Sequence, residues 1–78
     1  MANKLIDAAD APARLRAARA ILDESQEVFA DRFGVTARWI AELEAGAVTP
    51  SLKLAVAIET LTGIAPTDWM TSAQEAIA

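Results

Sequence analysis

The 78-residue chain contains no cysteine and no histidine. Without cysteine there is no disulfide framework, no thiol nucleophile and no Cys/His zinc site, and without histidine the commonest general base is missing too. Metalloenzymes and triad hydrolases are therefore disfavoured, and no catalytic residue, metal or other cofactor is expected. Basic residues are also few: seven Lys and Arg against eleven Asp and Glu give a net charge of −4 and a pI near 4.5. A nucleic-acid-binding domain is usually basic overall, so this balance argues against DNA as a partner. No basic stretch followed by an apolar core opens the chain, and no uncharged run nears the length of a membrane span. A soluble intracellular protein without a membrane partner is expected.

What is present is 54% hydrophobic residues in 8.3 kDa. By surface scaling, roughly 12,000 Å² of unfolded surface shrinks to about 4,600 Å², so only about 60% is buried and the core is small. Such a domain is marginal by itself and gains from a partner.

Residues 1–9 have no clear period or cap and read as an N-terminal arm; regular structure is expected over 10–78. Asp10 can cap a first helix with Pro12 in its first turn, and Leu15, Ala18, Ile21 and Leu22 follow at helical spacing. Ser25 caps a short second helix carrying Val28, Phe29 and Phe33, which Gly34 ends. Only Val35 separates Gly34 from Thr36, the cap of a third helix over Ala37 to Glu44. Two helices joined by so short a Gly-containing turn must cross steeply, which marks a helix-turn-helix unit over about 25–45.

Gly46 stops the third helix. Thr49 and Pro50 are expected to restart a fourth as cap and first residue, with Leu52, Val56, Ile58 and Leu61 on its core side up to Gly63. Pro66 opens a last helix with Asp68 near its positive end. Its apolar face of Trp69, Met70, Ala73 and Ile77 looks too large for the small core to cover. Trp69, Met70 and Ile77 are thus candidate dimer contacts. No strand pattern interrupts these segments, and the expected architecture is all-α, a compact five-helix domain.

The string Leu15-Arg16-x-Ala18-Arg19, Ser25-Gln26-Glu27-x-Phe29-Ala30, Gly34-Val35-Thr36, Ile40, Leu43-Glu44-x-Gly46 and Pro50-Ser51-Leu52 resembles the lambda repressor and Cro-like (XRE) helix-turn-helix family over about residues 12–70. The resemblance implies a cytoplasmic regulator of bacterial or phage type that binds double-stranded DNA as a homodimer on a pseudo-palindromic operator. The third helix would lie in the major groove. Ala37, Arg38, Ala41 and Glu42 match its base-reading positions, and Arg38 is the leading candidate because its guanidinium fork fits guanine O6 and N7. Gln26, Thr36 and Lys53 match or neighbour positions that meet the DNA backbone, Gln26 alternatively as a brace. Arg14, Arg16 and Arg32 are further candidate cations. Arg19 and Glu44 match an ion pair that ties the first helix to the end of the reading helix. Phe29, Ala30, Val35, Ile40, Leu43, Leu54 and Leu61 match core positions.

The chain departs from the family pattern at Asp23-Glu24, where Gly-Leu is usual, and in the loop Ala45 to Thr49, which lacks the usual basic residues. These departures and the acidic balance keep an alternative open. In it the protein is an interaction module on the same fold, such as an antitoxin, phage inhibitor or adaptor, binding a protein partner through acidic and apolar surface around Trp39, Val48, Trp69 and Met70.

Overall fold

A computed structural model describes residues 10–70, and these are helical with no strand among them. Four helices follow one another as α1 (Ala11–Leu22), α2 (Gln26–Asp31), α3 (Ala37–Glu44) and α4 (Leu52–Thr62). A short α5 begins at residue 66. The expected arm 1–9 and the positions Ala73 and Ile77 lie outside the described residues.

Each start is fixed by a side-chain oxygen that satisfies an otherwise orphaned N–H. Asp10 accepts from Ala13 N–H at 3.0 Å, Ser25 from Val28 N–H at 3.1 Å and Thr36 from Trp39 N–H at 3.1 Å. The fourth start differs from the expectation. Ser51, not Thr49, caps α4, accepting from Leu54 N–H at 3.4 Å, and Pro50 is buried ahead of the cap instead of opening the helix. The rigid ring thereby serves the loop, and the hydroxyl after it does the capping. At α5, Asp68 reaches back to accept from Ala65 N–H at 3.0 Å, the acidic half of a capping box.

The ends of α1, α2 and α3 share one device, a residue with positive φ followed by an N–H that bonds five residues back. Gly34 (φ +69°) precedes Val35 N–H, which donates to the Ala30 carbonyl at 3.2 Å, and Gly46 (φ +77°) precedes Ala47 N–H on the Glu42 carbonyl at 2.9 Å. The end of α1 is built the same way from an aspartate: Asp23 has φ +56°, and Glu24 N–H reaches the Arg19 carbonyl at 3.3 Å.

α2 and α3 pack most closely, and α1 lies across α3. The core joins Ala11, Leu15, Phe29, Ala30, Ile40, Leu43, Ala55, Ile58, Ile64 and Trp69. Phe33 meets Phe29 edge-on at 5.3 Å between ring centroids. Several expected core positions lie outside. On α1, Ile21 is 84% exposed and Leu22 is largely exposed; the buried stripe runs through Ala11 and Leu15. One turn further along that stripe stands Arg19, whose charged partner takes the place of more apolar packing. On α4, Leu52 is 73% exposed, and Val56 and Leu61 are also exposed, because the helix turns Ala55 and Ile58 inward with Leu54 at the margin. Trp69 is buried, only 4% exposed, and closes the core from α5. It therefore offers no surface to a second copy, and of the candidate dimer contacts described only Met70 is exposed.

Candidate nucleic-acid interface

The outward face of α3 is set by which of its residues the core takes. Ile40, Leu43 and Glu44 turn inward, which leaves Arg38 exposed and Glu42 half-buried on the far side, with Ala37 and Ala41 half-buried at the flank, paired at i, i+4 as 37–41 and 38–42. The Arg38 side chain is 89% exposed, and its only partner among the described residues is Glu42 one turn on, at 3.8 Å, a distance of weak surface attraction. Thr36 stands exposed at the head of the same helix. Its oxygen holds Trp39 N–H, and its hydroxyl proton stays free to donate. Trp39 and Val48 are each half-buried and pack against the core, so each offers only part of its side chain to the surface expected of the interaction module.

The back of α3 is pinned by its last residue. Glu44 is buried, and its carboxylate accepts from Arg19 Nε at 2.7 Å, Arg19 Nη2 at 3.1 Å and Gln26 Nε2 at 3.1 Å. One carboxylate thus joins α1, the first turn of α2 and the end of α3, with Arg gripping it by two prongs. The hydrogen bond to Glu44 raises the Arg19 pKa above its ordinary value, so the guanidinium stays charged. A third prong of Arg19 donates to the Glu24 carbonyl at 2.9 Å. The Arg19–Glu44 pair expected from the sequence is present, and the Gln26 side chain is occupied as a brace within the same network.

Most of the positive charge is engaged in such bracing. Arg14 pairs with Asp68 at 2.9 Å and holds α5 against α1, while Arg16 donates to the Glu44 carbonyl at 3.1 Å, where a cation suits the negative end of α3. Arg32 grips Glu24 through Nε at 2.8 and 3.0 Å and again through Nη2. That hydrogen bond holds the Glu24 carboxyl below its ordinary pKa and raises that of Arg32. The departure at Asp23-Glu24 is thus accommodated, with an aspartate in the left-handed cap and a charge clasp where an apolar residue is usual. Sequence spacing gave no sign of the Arg14–Asp68, Arg16–Glu44 and Glu24–Arg32 contacts, since their partners meet only through the turns. Among the described cations, Arg38 has only the long contact to Glu42 and Lys53 has no hydrogen bond or ion pair, and Lys53 is exposed at the head of α4.

Two short helices crossing through the Gly34 turn, with the second presenting an exposed, arginine-bearing face, define a helix-turn-helix domain. A helix-turn-helix family model matches residues 15–69, more than two thirds of the chain. The protein belongs to the lambda repressor/Cro-like (XRE) helix-turn-helix family. No curated protein and no solved structure matches the chain. Membership supports a DNA-binding regulatory domain, and the family is not typically enzymatic. No helix of the described residues is long and apolar enough to cross a membrane, and no cluster of acidic groups among them could hold a metal ion.

Proposed function

We propose that the protein is a sequence-specific transcriptional repressor that binds a pseudo-palindromic operator as a homodimer, with α3 of each copy in the major groove. The observation that carries this reading is the α3 face: Arg38 is the most exposed charge on it and is held only by a long surface contact to Glu42, while the end of the helix behind it is braced. Arg38 reads guanine through its two-pronged fork, Ala37 and Ala41 are small enough to lie against thymine methyls, and Glu42 accepts from cytosine N4. Thr36 and Lys53 contact phosphates, and Gln26 supports the readers through Glu44. Repression follows from occlusion, since a bound domain blocks the DNA it covers.

With Arg38 and Lys53 as the least engaged described cations, two subunits neutralise about four phosphates, which gives a salt slope of roughly −4. Selection of bound sequences from a random duplex library, at low and at physiological salt, tests the reading. Enrichment of a two-fold symmetric motif with a guanine in each half-site is the expected result. Folded protein that enriches nothing at low salt overturns it.

The second reading, an interaction module for a protein partner, is supported by a different surface from the one the sequence suggested. Ile21, Leu22 and Leu61 are exposed around a cleft of about 210 Å³ between the ends of α1 and α4. Under that reading an Ile21→Ser variant loses its partner, and Arg38→Ala keeps it.

A further inference from the structure

We infer that the cleft between the helix-turn-helix turn and the head of α4 is a binding site for a small apolar carboxylate. It has a volume of about 310 Å³ and is lined by Phe33, Val35, Ser51, Lys53, Leu54 and Ala57. In a chain of net charge −4 this lining holds one cation and no acid. Lys53 has no hydrogen bond or ion pair among the described residues. Its ammonium is a free anchor for an anion at the edge of the cleft.

Ser51 supplies a second anchor. Its oxygen accepts from Leu54 N–H, so the hydroxyl proton remains to be donated. A carboxylate suits this pair, one oxygen on the ammonium and the other on the hydroxyl. The remaining walls are apolar, with Phe33, Val35 and Leu54 half-buried and Ala57 exposed. A bare phosphate leaves those walls unused, whereas an aromatic or branched acid covers them. The volume lies at the small end of ligand sites, which sets the class as a compact acid of one or two rings instead of a peptide.

The position also suggests regulation, an extension that rests on the proposed DNA-binding function. Val35 belongs to the turn between α2 and α3, and Lys53 is a proposed phosphate contact. An acid in the cleft occupies Lys53 and fills the space beside the turn that sets the angle of α3, so ligand and operator compete.

The test is an NMR titration of the ¹⁵N-labelled full chain, without DNA, using 1-naphthoate as probe with 1-naphthalenemethanol and inorganic phosphate as controls. Naphthoate is expected to give saturable shifts at Val35, Lys53 and Ala57 with a Kd of about 1 mM or tighter. Lys53→Gln weakens binding at least fivefold, and Ala57→Leu, a substitution on an exposed helical position that fills the cleft, abolishes it. Absence of saturable shifts up to about 10 mM overturns the proposal. So does equal binding by the neutral alcohol, or by Lys53→Gln. Phosphate shifting Val35 and Ala57 as strongly as naphthoate does also overturns it. A second arm measures operator binding with and without naphthoate. This arm can fail through the DNA reading alone, whereas the titration depends only on the cleft.

Discussion

Arg19→Ala removes the two-pronged grip on Glu44 and leaves its carboxylate buried with Gln26 as its remaining side-chain donor. Breaking a buried ion pair in this way costs about 3–5 kcal/mol. The Arg19 side chain retains 21% exposure, so water can reach part of the space it vacates, which lowers the expected loss to about 2–4 kcal/mol. A domain of this size has about 4–12 kcal/mol in all, and each kcal/mol moves its Tm by about 4–8 °C. A Tm drop of about 8–32 °C is therefore expected in thermal unfolding followed by circular dichroism. Arg19→Lys keeps the charge and loses the fork, and should fall between the two. The double variant Arg19→Met/Glu44→Leu should regain most of the loss, because an apolar pair no longer strands a charge. An Arg19→Ala variant within about 0.5 kcal/mol of the parent would refute the claim that this network holds α1, α2 and α3 together.

Three further outcomes follow from the same structure. Asp23→Gly should raise stability by about 0.5–1 kcal/mol in urea unfolding, since it relieves the left-handed backbone and removes a carboxylate from the negative end of α1; a loss would show that Asp23 makes a compensating contact. Glu24→Gln should be less stable than the parent at neutral pH. Because Arg32 lowers the folded pKa of Glu24, this stabilisation is fully present above the usual glutamate value of about 4.3 and disappears as pH falls through the lowered folded value. The two stability–pH curves should therefore converge in acid, and a gap that persists there contradicts the clasp. The Trp69 indole N–H is buried without an acceptor among the described residues, a cost that Phe removes along with some packing. Trp69→Phe should remain within about 1 kcal/mol of the parent, whereas Trp69→Ala should lose about 3–5 kcal/mol and behave as a core variant, with no shift in sedimentation attributable to a lost dimer contact.

The sequence shows the helix-turn-helix unit plainly because its signals are local. Ser25, Gly34 and Thr36 act within three to five residues of where they stand, and each one does in the structure what its chemistry suggests. The outward position of Arg38 on α3 follows as well, since Ile40 and Leu43 are buried large aliphatic residues and leave one way for the helix to turn. On α4 the same logic fails. Leu52, Leu54, Ala55, Val56, Ala57 and Ile58 surround the helix with apolar groups, and periodicity cannot choose among faces when nearly all qualify. Thr49 and Ser51 flank Pro50 as competing caps, and burial of the proline decides between them. Trp69 is drawn inward because so small a core needs a large residue to close it, and Ile64 is buried in the same core. The charge braces are invisible at sequence level because each couples residues that only the fold brings together. They occupy Arg14, Arg16, Arg19 and Arg32, while Arg38 keeps only its long contact to Glu42 and Lys53 has no partner among the described residues.

The most direct test of the central claim compares the parent with Arg38→Ala on the operator recovered by selection and on single-base variants of it. Loss of one guanine contact is worth about 1–3 kcal/mol per half-site, so binding should weaken by at least about tenfold, discrimination at the guanine should vanish, and Tm should stay unchanged because Arg38 supports nothing behind it. Equal affinity with unchanged base preference would contradict the placement of α3 in the groove.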